Sequence, residues 1–373
     1  MRLWIAGGGT GGHVYPALAV VEALTPDPSP DSAGRGEPVE VRWIGSRGRV
    51  EEDLVKRAGL PFDAISAGGV HGLGPLRAAW NALKLIGGVA QALRLAMRFR
   101  PQVLLVTGGF VSVPAAIAGW LRRTPIVVYL PDVEPGLAVK FVSRLATQVA
   151  VSVEDSKAYL PARKVVVTGY PTRSALARLD RAEAVRRLGL ESGRKTLLAF
   201  GGSKGARSLN RALASILETL LPRYQVLHIS GTTDATEAHA RREALPMALK
   251  VRYHLFDYLH EMELALAAAD VAVSRAGASV LGEFPQFGLA SILVPYPYAW
   301  RYQKVNADYL ASRGAAIRIT DEDLARDLLP AIERLMDDDT ERARMQRQAR
   351  SLARPDAAAQ LAGVLRNLAG ATR

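Results

Sequence analysis

The sequence predicts an α/β protein of two doubly wound, Rossmann-like domains facing across a cleft. Three observations carry that prediction. Short apolar runs alternate with longer helical patterns along the whole chain. The runs are apolar throughout rather than at every second residue, as strands buried on both faces of a parallel sheet require. The chain is 373 residues long, and its β-then-α order falls into two blocks of domain size.

The first block opens on a strand at 2–6 (RLWIA), followed by glycines and a helix over 15–24. Further strands are expected at 39–44, 103–107, 126–130, 148–152 and 164–168. The second block carries strands at 196–200, 225–229, 251–255, 271–274, 291–295 and 315–319. The proline-marked stretch from Pro161 to Pro171 separates them, giving domains 1–165 and 166–355. A terminal helix within 356–373 has the first domain open to it as a packing partner, a placement that sequence alone leaves unfixed. Residues 25–38 (TPDPSPDSAGRGEP) interrupt the pattern and read as a flexible surface insertion without catalytic content.

Segment 73–99 reads as an amphipathic helix pair broken at Gly87-Gly88. Its Leu73, Leu76, Trp80, Leu83 and Ile86, mixed with Arg77, Lys84, Arg94 and Arg98, also suit a membrane surface. The acidic runs Asp337-Asp338-Asp339 and Asp321-Glu322-Asp323 read as solvated, the second at a helix start.

Composition narrows the function. The absence of cysteine excludes a disulfide scaffold, a thiolate metal site and a cysteine nucleophile. No stretch reaches the roughly 18–20 apolar residues of a membrane span. Met1 to Ala6 run straight into glycines, as a buried strand does and a signal peptide does not, so a soluble cytoplasmic chain is expected. The net charge of +12 calls for an anionic partner: nucleic acid, a phosphorylated substrate or an acidic lipid surface.

Four glycine-rich loops follow strands. The strongest is Gly7-Gly8-Gly9-Thr10-Gly11-Gly12-His13, where the chain turns tightly and backbone N–H groups meet a helix N-terminus suited to phosphate. A dinucleotide site would want a carboxylate at the tip of the second strand, but the tip is Gly45-Ser46-Arg47. No Gly-Lys-Ser/Thr follows either, so a P-loop is excluded. The others are Gly108-Gly109-Phe110-Val111-Ser112, Gly201-Gly202-Ser203-Lys204-Gly205-Ala206-Arg207 and Ser274-Arg275-Ala276-Gly277-Ala278-Ser279, the last opening a helix that carries Glu283. Four such loops shared between two domains suggest a cleft lined by phosphate-binding backbone on both walls.

The runs GGGTGGHVYPAL (7–18), WIGSRGRVEEDLV (43–55), GGFVSVPAAIA (108–118), GGSKGARSLN (201–210) and AADVAVSRAGASVLGE (268–283), in this order, resemble the MurG family. The resemblance implies a GT-B fold and inverting, metal-independent transfer of N-acetylglucosamine (GlcNAc) from UDP-GlcNAc, with no cofactor. The implied acceptor is lipid I, the undecaprenyl-diphosphate-linked muramoyl-pentapeptide, met at the cytoplasmic face of an anionic membrane; nucleic acid is not implied.

Residue by residue, the resemblance assigns the donor site to the second domain. Glu283 is similar to the family's ribose-binding carboxylate, which suits two vicinal hydroxyl donors. Ala278, Ser279 and Val280 match the helix start that receives the diphosphate. Ser203 and Arg173 match further donor-site residues, Leu259 the position whose backbone reads uracil, and Gln303 a sugar-contacting glutamine. In the first domain, Thr10, Gly11, Gly12 and Gly109 would hold the acceptor diphosphate. His13 matches the family's essential histidine, either as the base that assists the acceptor 4-hydroxyl or as a diphosphate contact. The other five histidines look unremarkable.

The chain departs from the family at Tyr129-Leu130-Pro131-Asp132, where a His-Glu-Gln-Asn run is usual. Only Asp132 is left there to offer an oxygen to a sugar or act as a base. Phe110, Tyr302 and Tyr170 depart as well. A transferase with another lipid or glycoside acceptor, or a catalytically silent UDP-sugar-binding protein, are the competing readings.

Overall fold

The computed structural model describes all residues except 10, 26–37, 68–74, 174–178, 203–204, 299–300 and 372–373, and only the main chain of 75–83. The chain divides into two compact units, Met1–Ser174 with Pro355–Arg373, and Ala175–Arg354.

In the first unit the elements run β1 (Arg2–Gly7), α1 (Gly11–Leu24), β2 (Glu40–Gly45), α2 (Val50–Arg57), β3 (Phe62–Ala64), α3 (Pro75–Phe99), β4 (Val103–Gly108), α4 (Ser112–Leu121), β5 (Ile126–Leu130), α5 (Leu137–Leu145), β6 (Gln148–Val151) and β7 (Val165–Val167). The sheet is parallel, in the order β3-β2-β1-β4-β5-β6-β7. Its central strands β4 and β5 are buried along their whole length, which is why they read as unbroken apolar runs. One face packs on α3, α4 and α5 through Ala92, Ala96, Ala115, Ala118 and Val142. The other packs on α1, with Val14, Ala17 and Val20, and on a C-terminal helix through Leu361 and Leu365.

The second unit runs α6 (Arg181–Arg187), β8 (Thr196–Phe200), α7 (Arg207–Leu220), β9 (Gln225–Ile229), α8 (Ala235–Glu243), α9 (Met247–Lys250), β10 (Tyr253–Phe256), α10 (Met262–Ala268), β11 (Val271–Ser274), α11 (Glu283–Phe287), β12 (Ala290–Leu293), α12 (Tyr302–Ser312), β13 (Ala316–Arg318), α13 (Leu324–Asp337) and α14 (Asp339–Ser351). Its parallel sheet has the order β10-β9-β8-β11-β12-β13. The helix α15 (Ala357–Gly370) then returns to the first unit and lies on α1, where Arg366 Nη2 donates to the Leu24 carbonyl at 3.2 Å.

Four local readings change. The units part after Ser174, not at 165/166, because β7 pairs with β6 and the amides of Thr168 and Gly169 both donate to the Val151 carbonyl. The α3 helix is continuous through Gly87-Gly88. Gly88 is where the helix meets the chain after β3: a Cβ there would lie 2.1 Å from the Ser66 carbonyl oxygen, so close packing rather than a break explains the glycine. Asp321 is no solvated acid but the partner of buried Arg275. Asp338 caps α14, accepting the amides of Thr340 and Glu341 at 2.9 Å. The segment 25–38 lies, apart from its ends, outside the described residues, as do Leu73 and His71.

Candidate active site

Both sheets reverse their winding beside their first strand, between β1 and β4 in one and between β8 and β11 in the other. At such a switch point the loops leaving two adjacent strands diverge to opposite faces and open a crevice at the strand C-termini. The four glycine loops follow β1, β4, β8 and β11, the strands that flank the two switches.

In the first unit α1 begins at Gly11, not at residue 15. Gly11, Gly12 and His13 are therefore its first turn, whose N–H groups have no helical acceptor. Thr10 lies outside the described residues. His13 Nδ1 donates to the Gly8 carbonyl at 2.9 Å, which leaves the lone pair of the neutral ring on Nε2. The ring lies against the second loop: a Cβ on Gly108 would stand 2.9 Å from Nε2. Gly109 is equally constrained, with φ of 84° and a Cβ position 2.5 Å from the Gly8 oxygen. The Gly8 amide donates to the Gly108 carbonyl at 3.2 Å, so the two loops are pinned to each other.

A carboxylate reaches this loop after all. Glu51, in the first turn of α2, is 1% exposed and accepts the amides of Gly9 at 3.1 Å and Ser46 at 3.2 Å. It holds the loop's own backbone. Sequence reasoning missed it, yet the signal was present: Val55 is the inward apolar residue of α2, and Glu51 is one turn earlier on the same face.

Asp132 follows β5 and is half-buried. The three departures before it, Tyr129, Leu130 and Pro131, are buried. Tyr129 is fully buried with its hydroxyl 2.8 Å from Ser152 Oγ, and burial raises its pKa well above the ordinary tyrosine value; Leu130 is 1% exposed. Arg173, expected with the donor domain, belongs to the first unit, where its guanidinium lies 5.8 Å over the Tyr15 ring of α1.

In the second unit Ser203 lies outside the described residues. Ala278, Ser279 and Val280 form a short 3-10 turn, Ala278–Leu281, and Glu283 opens a separate helix. The single helix expected from the sequence is interrupted because Pro285 has no N–H to continue the ladder and is tolerated only in a first turn. Any anion at this turn would meet local amides rather than the dipole of a long helix.

Charged side chains fix the turn. Buried Arg275 pairs with Asp321 after β13, donates through Nη2 to Ser208 Oγ at 2.7 Å and through Nη1 to the Val294 carbonyl at 3.2 Å. Asn306 of α12 donates to the Ala276 carbonyl at 3.1 Å. Gln303 Oε1 accepts the Tyr296 amide at 2.9 Å, so its carbonyl orders the chain after β12. Leu259 is half-buried beyond the end of β10.

His228 is far from unremarkable. It is buried, with Nδ1 2.6 Å from the Tyr253 hydroxyl and Nε2 3.0 Å from Asn210 Oδ1, and burial pushes its pKa down to about 4. Asn210 Nδ2 in turn donates to Asp234 at 3.0 Å, and Asp234 pairs with Arg207 at the end of the third glycine loop. Among the described residues no group of histidines and acids has the geometry to hold a metal ion, and no helix is long and apolar enough to cross a membrane.

Residues 3–151 match the N-terminal domain of glycosyltransferase family 28, and residues 196–361 match its C-terminal domain. A Roseiflexus protein named UDP-N-acetylglucosamine–N-acetylmuramyl-(pentapeptide) pyrophosphoryl-undecaprenol N-acetylglucosamine transferase is 43% identical, over 99% of this chain and 95% of its own. A Bacillus subtilis protein of the same name is 33% identical, over 99% of both chains. The fold is shared with the crystal structure of Acinetobacter baumannii MurG, at a TM-score of 0.76 and 24% identity over 98% of this chain and 99% of that one. With such likeness along its whole length, the chain belongs to the MurG family of glycosyltransferases.

Proposed function

We propose that this enzyme transfers GlcNAc from UDP-GlcNAc to the muramoyl 4-hydroxyl of lipid I, giving the lipid-linked disaccharide of peptidoglycan synthesis. The observation that carries this reading is the 43% identity to a transferase of that name over 99% of the chain. In the reaction the acceptor O4 attacks the anomeric carbon of GlcNAc while the bond from that carbon to the UDP phosphate breaks. The configuration inverts, UDP leaves, and His13 Nε2 takes the hydroxyl proton. Its Nδ1–H bond to Gly8 supports this role, since that tautomer leaves Nε2 basic.

The donor would rest on the second unit. Glu283 takes the ribose hydroxyls, the amides of Ala278, Ser279 and Val280 with Ser203 take the diphosphate, Leu259 reads uracil through its backbone, and Gln303 takes the sugar. Arg173, which the resemblance assigns to the donor, belongs to the first unit. The amides of Thr10, Gly11, Gly12 and Gly109 would hold the acceptor diphosphate, with Asp132 a second oxygen near the sugar.

A peripheral attachment to an anionic membrane is supported by the first unit. Ile86, Met97, Phe110, Trp120, Leu121 and Leu137 are exposed on or beside α3, α4 and α5. Arg122 and Arg123 follow α4, and Lys140 lies on α5. Leu76 and Trp80, which first suggested such a surface, lie where no side chain is described.

UDP release from UDP-GlcNAc with a lipid I analogue tests the reading. Release that requires both substrates is expected; UDP-GlcNAc binding with no transfer to any acceptor would overturn it. The 129–132 run favours one rival. With Tyr129 and Leu130 in the core, Asp132 is the side chain of that run best placed for an acceptor, and a different lipid or glycoside would show as preference in an acceptor series.

A further inference from the structure

We propose that Glu51 is a positioning residue that acts on His13 through the Gly8–Gly9 peptide. This inference rests on the reading of His13 as the base. Gly8 C=O and Gly9 N–H are the two ends of one peptide group. Its N–H donates to Glu51 Oε2 at 3.1 Å, and its C=O accepts His13 Nδ1–H at 2.9 Å. The carboxylate, the peptide and the imidazole thus form one chain of hydrogen bonds.

The amide is conjugated, so an anion accepting its N–H draws electron density toward the carbonyl oxygen. Gly8 O becomes a stronger acceptor, the ring proton is held on Nδ1, and Nε2 keeps the lone pair. In a catalytic triad a buried carboxylate does this by touching the histidine directly; here one peptide intervenes. No proton passes to Glu51; the substrate proton goes to Nε2.

The geometry around the peptide fits this role. Glu51 is buried, and its Oε1 is held by the Ser46 amide, so the carboxylate cannot swing away. A Cβ on Gly8 would stand 2.4 Å from Glu51 Oε1, and one on Gly109 2.5 Å from Gly8 O. Residues 8 and 109 must therefore be glycine for the carboxylate and the second loop to close on the peptide. Of the charged groups on neighbouring elements, Arg47 and Arg49 lie in the turn before α2, Arg173 lies over Tyr15 and Asp132 follows β5. Glu52 is tied to Lys56 and the Gly48 amide, and residues 108–112 carry no titratable side chain.

The test uses the full chain labelled with nitrogen-15 histidine, the His13 ring signals being assigned by their loss in His13→Asn. The wild type should show His13 mainly as the Nδ1–H tautomer. In Glu51→Gln, which can satisfy only one of the two amides and carries no charge, the Nε2–H tautomer should grow several-fold. Transfer kcat should fall about ten- to a hundred-fold, a part of what a positioned base supplies, with UDP affinity unchanged. An unchanged tautomer overturns the proposal even if activity falls. A second measurement needs no Glu51 variant: in His13→Ala, which has no donor for the Gly8 carbonyl, the Gly9 amide proton should move upfield, because a peptide relieved of one bond weakens the other. An unmoved Gly9 proton overturns the coupling. If the wild type transfers nothing to lipid I, the function fails, while the tautomer and amide shifts still decide the relay.

Discussion

The switch points of the two sheets are built by different means. In the first unit glycines at 7, 8, 45, 108 and 109 let the loops close on main chain or on a side chain, the Glu51 carboxylate among them, where any Cβ would lie within 3 Å of another atom. In the second unit a close glycine recurs, a Cβ on Gly205 standing 2.2 Å from the Ser230 carbonyl oxygen, but charged side chains add a further set of links: Arg275 with Asp321 and Ser208, and Asp234 with Arg207 and Asn210. A methyl group should break the first arrangement, and loss of a charge the second. The difference also matches the proposed roles, a close-fitting loop around the base and a firmly held turn for a nucleotide.

The largest expected effect separates the roles. His13→Ala should lower transfer kcat by about 10²–10⁴ with little change in UDP-GlcNAc affinity. Glu283→Ala should instead weaken UDP-GlcNAc binding by about 1.5–3 kcal/mol, seen mainly as a raised KM. Steady-state kinetics with both substrates varied checks the pair. The same KM and kcat pattern in both variants would erase the distinction.

Stability tests the construction. Asp321→Ala leaves Arg275 buried without its anion and should cost about 3 kcal/mol or more. Gly109→Ala combines a positive φ with a methyl against the Gly8 oxygen and should cost about 2–4 kcal/mol. Urea unfolding measures both. If Asp321→Ala were neutral, the ion pair would be incidental and the contrast would fail.

Much of this was legible in the sequence. Buried parallel strands announce themselves as apolar runs, and the glycine loops mark the strand ends that frame both switches. Two kinds of feature were not. The three-residue edge strand Phe62–Ala64 is too short for any pattern. Partners distant in sequence, such as Arg275 with Asp321 or His228 with Asn210 and Tyr253, leave no local trace, since each residue alone looks like surface charge or an ordinary polar residue. Tyr129 and Leu130 looked like altered site residues because a strand end does not reveal which side chains turn inward.

A smaller effect should appear with pH, and it belongs to the second unit. His228 has a folded pKa of about 4 against an ordinary value of 6.5, because burial disfavours its charged form. The unfolded chain binds the extra proton between those values, so stability is complete above pH 6.5 and falls as pH drops toward 4. The loss approaches about 3 kcal/mol at the acid end. In His228→Gln that part of the slope should vanish; if wild type and variant lose stability in parallel over this range, the imidazole does not drive it.

The smallest effect sharpens the methyl test within one helix. Gly87 and Gly88 are neighbours in α3, and both read from the sequence as a helix break. A Cβ on Gly88 meets the Ser66 carbonyl oxygen at 2.1 Å, whereas one on Gly87 meets nothing within 4 Å. Gly88→Ala should therefore destabilise by about 1–3 kcal/mol as the crossing segment is pushed off the helix. Gly87→Ala should stabilise by about 0.5–1 kcal/mol, because alanine restricts the unfolded chain and favours the helix. Opposite signs at adjacent positions in urea unfolding would show that glycine in this unit is kept for close approach rather than for flexibility. Stabilisation at both would mean that the Ser66 segment yields, and that the first unit is held less by its backbone contacts than its glycines suggest.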